Sequence, residues 1–226
     1  HYQPIVRFSP FAIWGYEALV RWQHPQRGLI QPLQFLNVAE ESRLIIDVGD
    51  QVLDKTCAML DRRREVTGII SVNISPIQLA DPTWSSRFLD TILRHRTDPR
   101  RLVIEVTETA VFACSDDQLR QLADLRSRGV GIHLDDFGTG YSSVTLLRDA
   151  PVTGIKLDRS FTRDLVDGPE ARVIPASLAN LARGFGLTTV AEGVESLSQA
   201  HTLSRLGWSF GQGFLYGRPS LDMVPG

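Results

Sequence analysis

Thiols are scarce in this 226-residue chain, which has two cysteines, Cys57 and Cys114. They lack metal-ligand spacing, and one pair makes no disulfide framework. Both read as packed thiols of a reducing compartment. Long apolar runs are missing too: none approaches the roughly 18 residues of a membrane span, and no signal peptide opens the sequence. A cytoplasmic domain is expected, with any membrane anchor lying elsewhere in a full-length protein. An excess of one charge is also absent, since 24 Lys and Arg face 26 Asp and Glu for a formal net charge of −2. That excludes a global basic field for a long nucleic acid, so a phosphate ligand would have to be held locally.

What is present can build a core. Hydrophobic residues make up 42% of the chain, and the length suits one α/β barrel of the usual ~250 residues. The sequence begins at "HYQPIV", already strand-like and without an initiator methionine. The expectation is a single domain over 1–226, excised from a longer multidomain signalling protein.

Strand-like residues at 2–8 and 14–22 are separated only by a short turn. A parallel crossover needs a dozen or more residues, so this pair must be antiparallel. Helical patterns then follow at 32–44, 47–64, 87–95, 116–128, 143–148, 170–183 and 197–206. Between them lie strands near 69–75, 101–107, 130–136, 153–158, 188–192 and 208–213. Six strands in βα alternation plus the opening two fit a (β/α)8 TIM-like barrel with one antiparallel strand. Pro175 should kink or shift its helix.

Barrel enzymes carry their chemistry at the carboxyl ends of the strands. In order, those ends read Glu17, Asn73, Glu105, Asp135 with Asp136, Lys156, Glu192 and Gln212. Period-two alternation puts Asn73 and Glu105 on the inward face. His133 shares Asp135's face and reads as a satisfied inward polar residue rather than a ligand. The acids and Asn73 are oxygen donors, with no thiolate and no recurrent histidine pair. Such a set suits Mg²⁺ or Mn²⁺, whereas Ca²⁺, with its longer and looser coordination, should inhibit. Carboxylates crowded on one rim repel strongly without cations, so two metals sharing Asp135 is the economical arrangement. The glycines of "DDFGTGYSS" (135–143) then form a tight turn able to approach a ligand closely. These residues read as a metal-dependent phosphoester hydrolase.

Eight motifs in order carry a family resemblance: "YQPIV" (2–6), "YEALVRW" (16–22), "SVNIS" (71–75), "IEVTET" (104–109), "DDFGTGYSS" (135–143), "IKLDRSF" (155–161), "AEGVES" (191–196) and "GQGFLYGRP" (211–219). In them the chain resembles the EAL-domain phosphodiesterases, which open cyclic di-GMP to linear pGpG. The resemblance implies that Glu17, Asn73, Glu105 and Asp135 bind metal, with Asp136 and Glu192 completing a two-cation site. It implies that Lys156 contacts the attacking water and that Gln212 lies near it. Gln3, Leu19 and Arg21 would face the dinucleotide. Glu108 and Glu195 match supporting acids, Glu108 anchoring the 135–143 loop. A homodimer beside that loop is implied, as are sensory or diguanylate cyclase domains elsewhere in the protein. The first turn departs from the family, carrying Phe11 and Trp14 where an Asp/Gly-rich hairpin is common. The alternative reading is a non-catalytic module that binds cyclic di-GMP or a protein partner. Such members usually have lost metal ligands or the lysine, and all are retained here.

Overall fold

Residues 8–11 are too few for a crossover, and the strands that they join, β1 (Tyr2–Arg7) and β2 (Ala12–Ala18), pair antiparallel. The computed structural model describes residues 1–63, 65–139, 144–165 and 168–223. After a small hairpin of β3 (Trp22–His24) and β4 (Gly28–Ile30) come β5 (Ile69–Asn73), β6 (Leu102–Thr107), β7 (Gly131–Phe137), β8 (Gly154–Leu157), β9 (Thr188–Ala191) and β10 (Phe210–Gln212). Eight of these strands close into a barrel in the order β1-β10-β9-β8-β7-β6-β5-β2. Only β1 is reversed: it is antiparallel to both β2 and β10, while the other pairs are parallel. The fold is the expected (β/α)8 barrel with one antiparallel strand.

The apolar core lies between the barrel wall and the helices. Outward-facing Ile70, Val72, Ile104, Ile132, Leu134 and Ile155 are buried against Leu53, Cys57, Phe88, Leu122, Leu178 and Leu203 of the helical layer. Parallel strands covered on both faces read as nearly continuous apolar runs, which explains "LVIEV" and "GIKL". Helices start where sequence supplies caps: Ser115 and Ser196 each form a capping box with a glutamine three residues on.

Three expectations need correction. The expected strand 14–22 ends at Ala18, and Trp22 begins the separate hairpin. The expected helix 32–44 is a 3-10 turn Pro32–Gln34 followed by a short helix Leu36–Glu41. Arg43, held at a left-handed φ of 60°, separates it from the long helix Ile45–Arg62. The helix expected from 170 begins at Val173 after a 3-10 turn. Pro175 therefore falls in its first turn, where a missing N–H leaves no intrahelical bond unmade.

Inside the barrel His133 is 3% exposed. Trp14 stacks on its ring, with centroids 6.1 Å apart and planes 4° apart. Gly154 also lies against the ring, and a Cβ there would come within 2.5 Å of it. Burial, with the Lys156 ammonium adding, pushes the imidazole down to about 3 and keeps it neutral. Gly154→Ala should lower stability in urea unfolding by about 1–3 kcal/mol through overpacking. His133→Ala in the same chain should recover part of that loss. Additive losses in the double-mutant cycle would refute the contact as its cause.

Candidate active site

Parallel strands bring their carboxyl ends to one rim, and the reversed β1 brings its beginning there. Glu17 lies near the end of β2 and pairs in register with Gln3. Asn73 closes β5, Gln212 closes β10, and Glu192 follows β9. Lys156 of β8, fully buried, stands at the centre. Its Nζ lies 2.6 Å from Glu192 Oε1, 2.7 Å from Glu105 Oε2, 3.4 Å from Asp135 Oδ1 and 3.6 Å from Glu17 Oε2. Glu17 also accepts hydrogen bonds from Asn73 Nδ2 and Gln212 Nε2, each at 2.6 Å. Gln212 Nε2 donates a second bond to Gln3 Oε1 at 3.1 Å, and Gln3 Nε2 donates to the Gly217 carbonyl.

Neighbouring residues of a strand normally face opposite ways. Asp135 and Asp136 escape that rule because β7 slips by one residue against β8 between Leu134 and Phe137. Asp136 takes a left-handed φ of 53° in this bulge. As a result, carboxylate oxygens of Asp135, Asp136 and Glu192 come within 4.8 Å of one another. Gly138 follows at φ 99°, and its N–H donates to Glu108 Oε2 at 3.2 Å. The helix Glu108–Phe112, begun by the Thr107 cap, thereby holds the turn after the paired acids.

One ammonium does not balance this many carboxylates. Burial, reinforced by Glu17, pushes Glu105 well above the usual carboxylate range despite Lys156. Burial also pushes Glu192 up to about 8, Asp135 adding to it and Lys156 opposing it. Asp136 is raised by burial and by Asp135. Glu17 is lowered, since Lys156, Gln212 and Asn73 outweigh its burial. Lys156 is burdened by burial, yet Glu105, Glu17, Glu192 and Asp135 raise it far above its ordinary value, so it stays charged. Glu105 Oε1 and Asp135 Oδ1 are buried without a hydrogen bond among the described residues, Asp135 Oδ1 having only its 3.4 Å ion pair with Lys156. Raised acids, oxygens short of hydrogen bonds and an all-oxygen donor set fit hard divalent cations.

Other expected residues fall into place unevenly. Arg21 lies at the rim, its Nη1 donating to the Val20 carbonyl at 2.8 Å. Leu19 exchanges backbone hydrogen bonds with His1. Glu195 is exposed, and its backbone N–H donates to Gln199 Oε1 at 2.9 Å. Of the 135–143 loop, Gly140, Tyr141, Ser142 and Ser143 lie outside the described residues. Sequence reasoning missed Glu40. Its carboxylate accepts from Ser75 Oγ at 2.7 Å, tying the helix after the β3–β4 hairpin to the rim beyond Asn73. Nothing in the sequence marks it, and Ser75 itself serves as the cap of the helix Pro76–Leu79.

The family model described as EAL domain matches residues 1–219. The bifunctional diguanylate cyclase/cyclic di-GMP phosphodiesterase MucR of Pseudomonas aeruginosa is 42% identical over 224 residues, covering 97% of this chain and 32% of that protein. The cyclic di-GMP phosphodiesterase PdeR of Escherichia coli K12 is 36% identical over 222 residues, covering 97% of this chain and 33% of that protein. Among solved structures, the PaMucR phosphodiesterase in complex with c-di-GMP superposes with a TM-score of 0.91 at 41% identity, covering 97% of this chain and 90% of that one. The chain thus spans about a third of the length of these two curated relatives.

Since Glu192 holds a proton up to about 8, a cation entering the cluster must displace it. Calorimetry of Mn²⁺ binding in buffers of differing ionisation enthalpy should show proton release near neutral pH that fades above about 8. Affinity should rise with pH over the same interval and then level. A flat affinity across it would refute the proton-linked cluster.

Proposed function

The chain belongs to the EAL domain family, and from that premise we propose that it is a metal-dependent phosphodiesterase opening cyclic di-GMP to linear pGpG. The observation that carries this reading is the buried Lys156 ammonium among Glu17, Glu105, Asp135 and Glu192 on the barrel rim. Glu17, Asn73, Glu105, Asp135, Asp136 and Glu192 are the residues that would hold two Mg²⁺ or Mn²⁺ ions. When bound, such ions neutralise phosphate oxygens and acidify a water for in-line attack.

The chain's own groups supply the rest. Lys156, kept charged by its carboxylates, donates to the attacking water and orients it, rather than removing its proton. Gln212 is fixed through its Nε2 by Glu17 and Gln3. Its Oε1, buried and without a partner among the described residues, is left to accept from that water. Arg21 offers a planar fork to a phosphate, and Gln3 and Leu19 line the dinucleotide's approach. Glu108 tethers the turn at Gly138, so that Asp135 and Asp136 keep their positions. Glu195 supports the cluster only indirectly.

The reading extends to the assembly. The proposal is a single EAL domain of a longer signalling protein, with sensory or diguanylate cyclase domains alongside and a homodimer formed beside the 135–143 loop. Among the described residues no helix is long and apolar enough to cross a membrane, and a cytoplasmic position for the domain belongs to the same proposal.

The direct test is incubation with cyclic di-GMP and Mg²⁺, followed by chromatographic separation of pGpG. Product should form with Mg²⁺ or Mn²⁺, stop in excess chelator and fall away when Ca²⁺ replaces them. Dinucleotide binding without product would establish the non-catalytic module instead.

Lys156→Ala should still bind cyclic di-GMP in Ca²⁺, because Arg21 and the metal ligands remain. Its pGpG rate should fall by roughly 10²-fold or more, the scale of one positioned electrostatic group. An affinity loss equal to the rate loss would make Lys156 a substrate-binding residue.

Glu108→Ala should weaken both Mg²⁺ affinity and turnover by releasing the turn. If neither changes, the tether is not what positions the paired acids.

A further inference from the structure

The end of the barrel where β5 and β6 begin has the opposite electrostatic character from the rim. Segments 60–63 and 94–101 carry Arg62, Arg63, Arg94, Arg96, Arg100 and Arg101 against Asp61 and Asp98, in a chain of formal charge −2. Part of this patch walls a cavity of about 650 Å³ whose lining includes Asp61, Arg94, His95, Arg96, Asp98 and Arg101. Arg101 directly precedes β6, four residues before Glu105. At roughly 3.3 Å per residue Arg101, which lines the cavity, lies about 13 Å along the strand from Glu105.

Much of this arginine has structural work. Arg94, in the last turn of the helix Trp84–Arg94, complements its dipole and lies 3.5 Å from Asp54. Arg101 donates to the Gly68 carbonyl at 3.1 Å and the Val66 carbonyl at 2.5 Å. Arg96 is different. It sits beyond the helix at a left-handed φ of 51°, a position that glycine occupies at less cost. Its guanidinium is exposed, with no ion pair or hydrogen bond among the described residues. The nearby acids are already occupied: Asp98 accepts from Arg100, Asp54 contacts His95 at 2.8 Å, and Asp61 is engaged as well.

We propose that this cavity is a second binding site, for a compact diphosphate-bearing anion such as a nucleoside diphosphate, held by Arg94, Arg96 and Arg101. Guanidinium forks match phosphate oxygens in pairs. The volume falls within the roughly 300–1,000 Å³ of small-molecule sites, whereas a lipid surface or long nucleic acid calls for a broad open face. The site is independent of the rim chemistry, so it stands whether or not the domain hydrolyses cyclic di-GMP.

The test is calorimetric titration of the full chain with inorganic pyrophosphate and with ADP, in chelator, at low and high salt. Chelator removes the cations that would draw either anion to the carboxylate rim. Saturable one-to-one binding that weakens with salt is expected, reduced about tenfold or more by Arg94→Ala and by Arg96→Gly. Arg96→Gly should fold at least as well as the parent, because glycine suits the left-handed position, so a loss there reports the guanidinium. Arg205→Ala, on another helix, should leave affinity unchanged. Absence of saturable binding, equal affinity in Arg96→Gly, or binding to anionic vesicles but to neither soluble anion would each overturn the proposal.

Discussion

The rim depends on a mismatch of charge: one buried ammonium, Lys156, surrounded by Glu17, Glu105, Asp135 and Glu192. A buried lysine alone would lose its proton, and buried carboxylates alone would gain theirs. Together they settle unevenly, with Lys156 firmly charged, Glu17 ionised, and Glu105 and Glu192 driven upward. The cluster is therefore under-neutralised by its own residues. Further positive charge is what it is built to receive, and hard cations match its oxygens.

Holding that mismatch in place falls to backbone geometry rather than to side-chain packing. Six strand ends deliver one polar residue apiece and β7 delivers two, but a regular strand could not turn consecutive Asp135 and Asp136 to the same side. The slip of β7 against β8 turns consecutive acids to one side, with the left-handed Asp136 absorbing the extra residue. Gly138 then reverses the chain at a φ few side chains tolerate and offers its N–H to Glu108. A bulge of this kind is most useful where a side chain must be re-aimed.

Much of this was legible in sequence because strand periodicity and unit length are strong signals. Asn73, Glu105 and Asp135 fall about one βα unit apart, and the short first turn dictated the reversed strand. What stayed hidden was non-local. The β3–β4 hairpin carries too few residues for a period to emerge, and Arg43's left-handed break leaves no mark in a helical pattern. Glu40 looks like any solvated helix acid until Ser75 is seen to meet it. His133 read correctly as an inward polar residue, but its fit to Trp14 and Gly154 needs three strands in register.

The near-zero net charge conceals a separation that the same topology enforces. Each crossover helix begins after a strand's carboxyl end and returns toward the barrel's other end, so helix amino termini gather near the rim and carboxyl termini at the base. Partial positive charge at helix beginnings favours acids and phosphates near the rim, and partial negative charge at helix ends favours arginine at the base. The last turns obey, carrying Arg62, Arg94, Arg126, Arg183 and Arg205. A barrel that concentrates carboxylates at one end thus tolerates a basic surface at the other with little mutual cancellation, because more than a Debye length of roughly 8–10 Å lies between them. The two ends are electrostatically separate surfaces carried on one scaffold, and a formal charge summed over the whole chain describes neither.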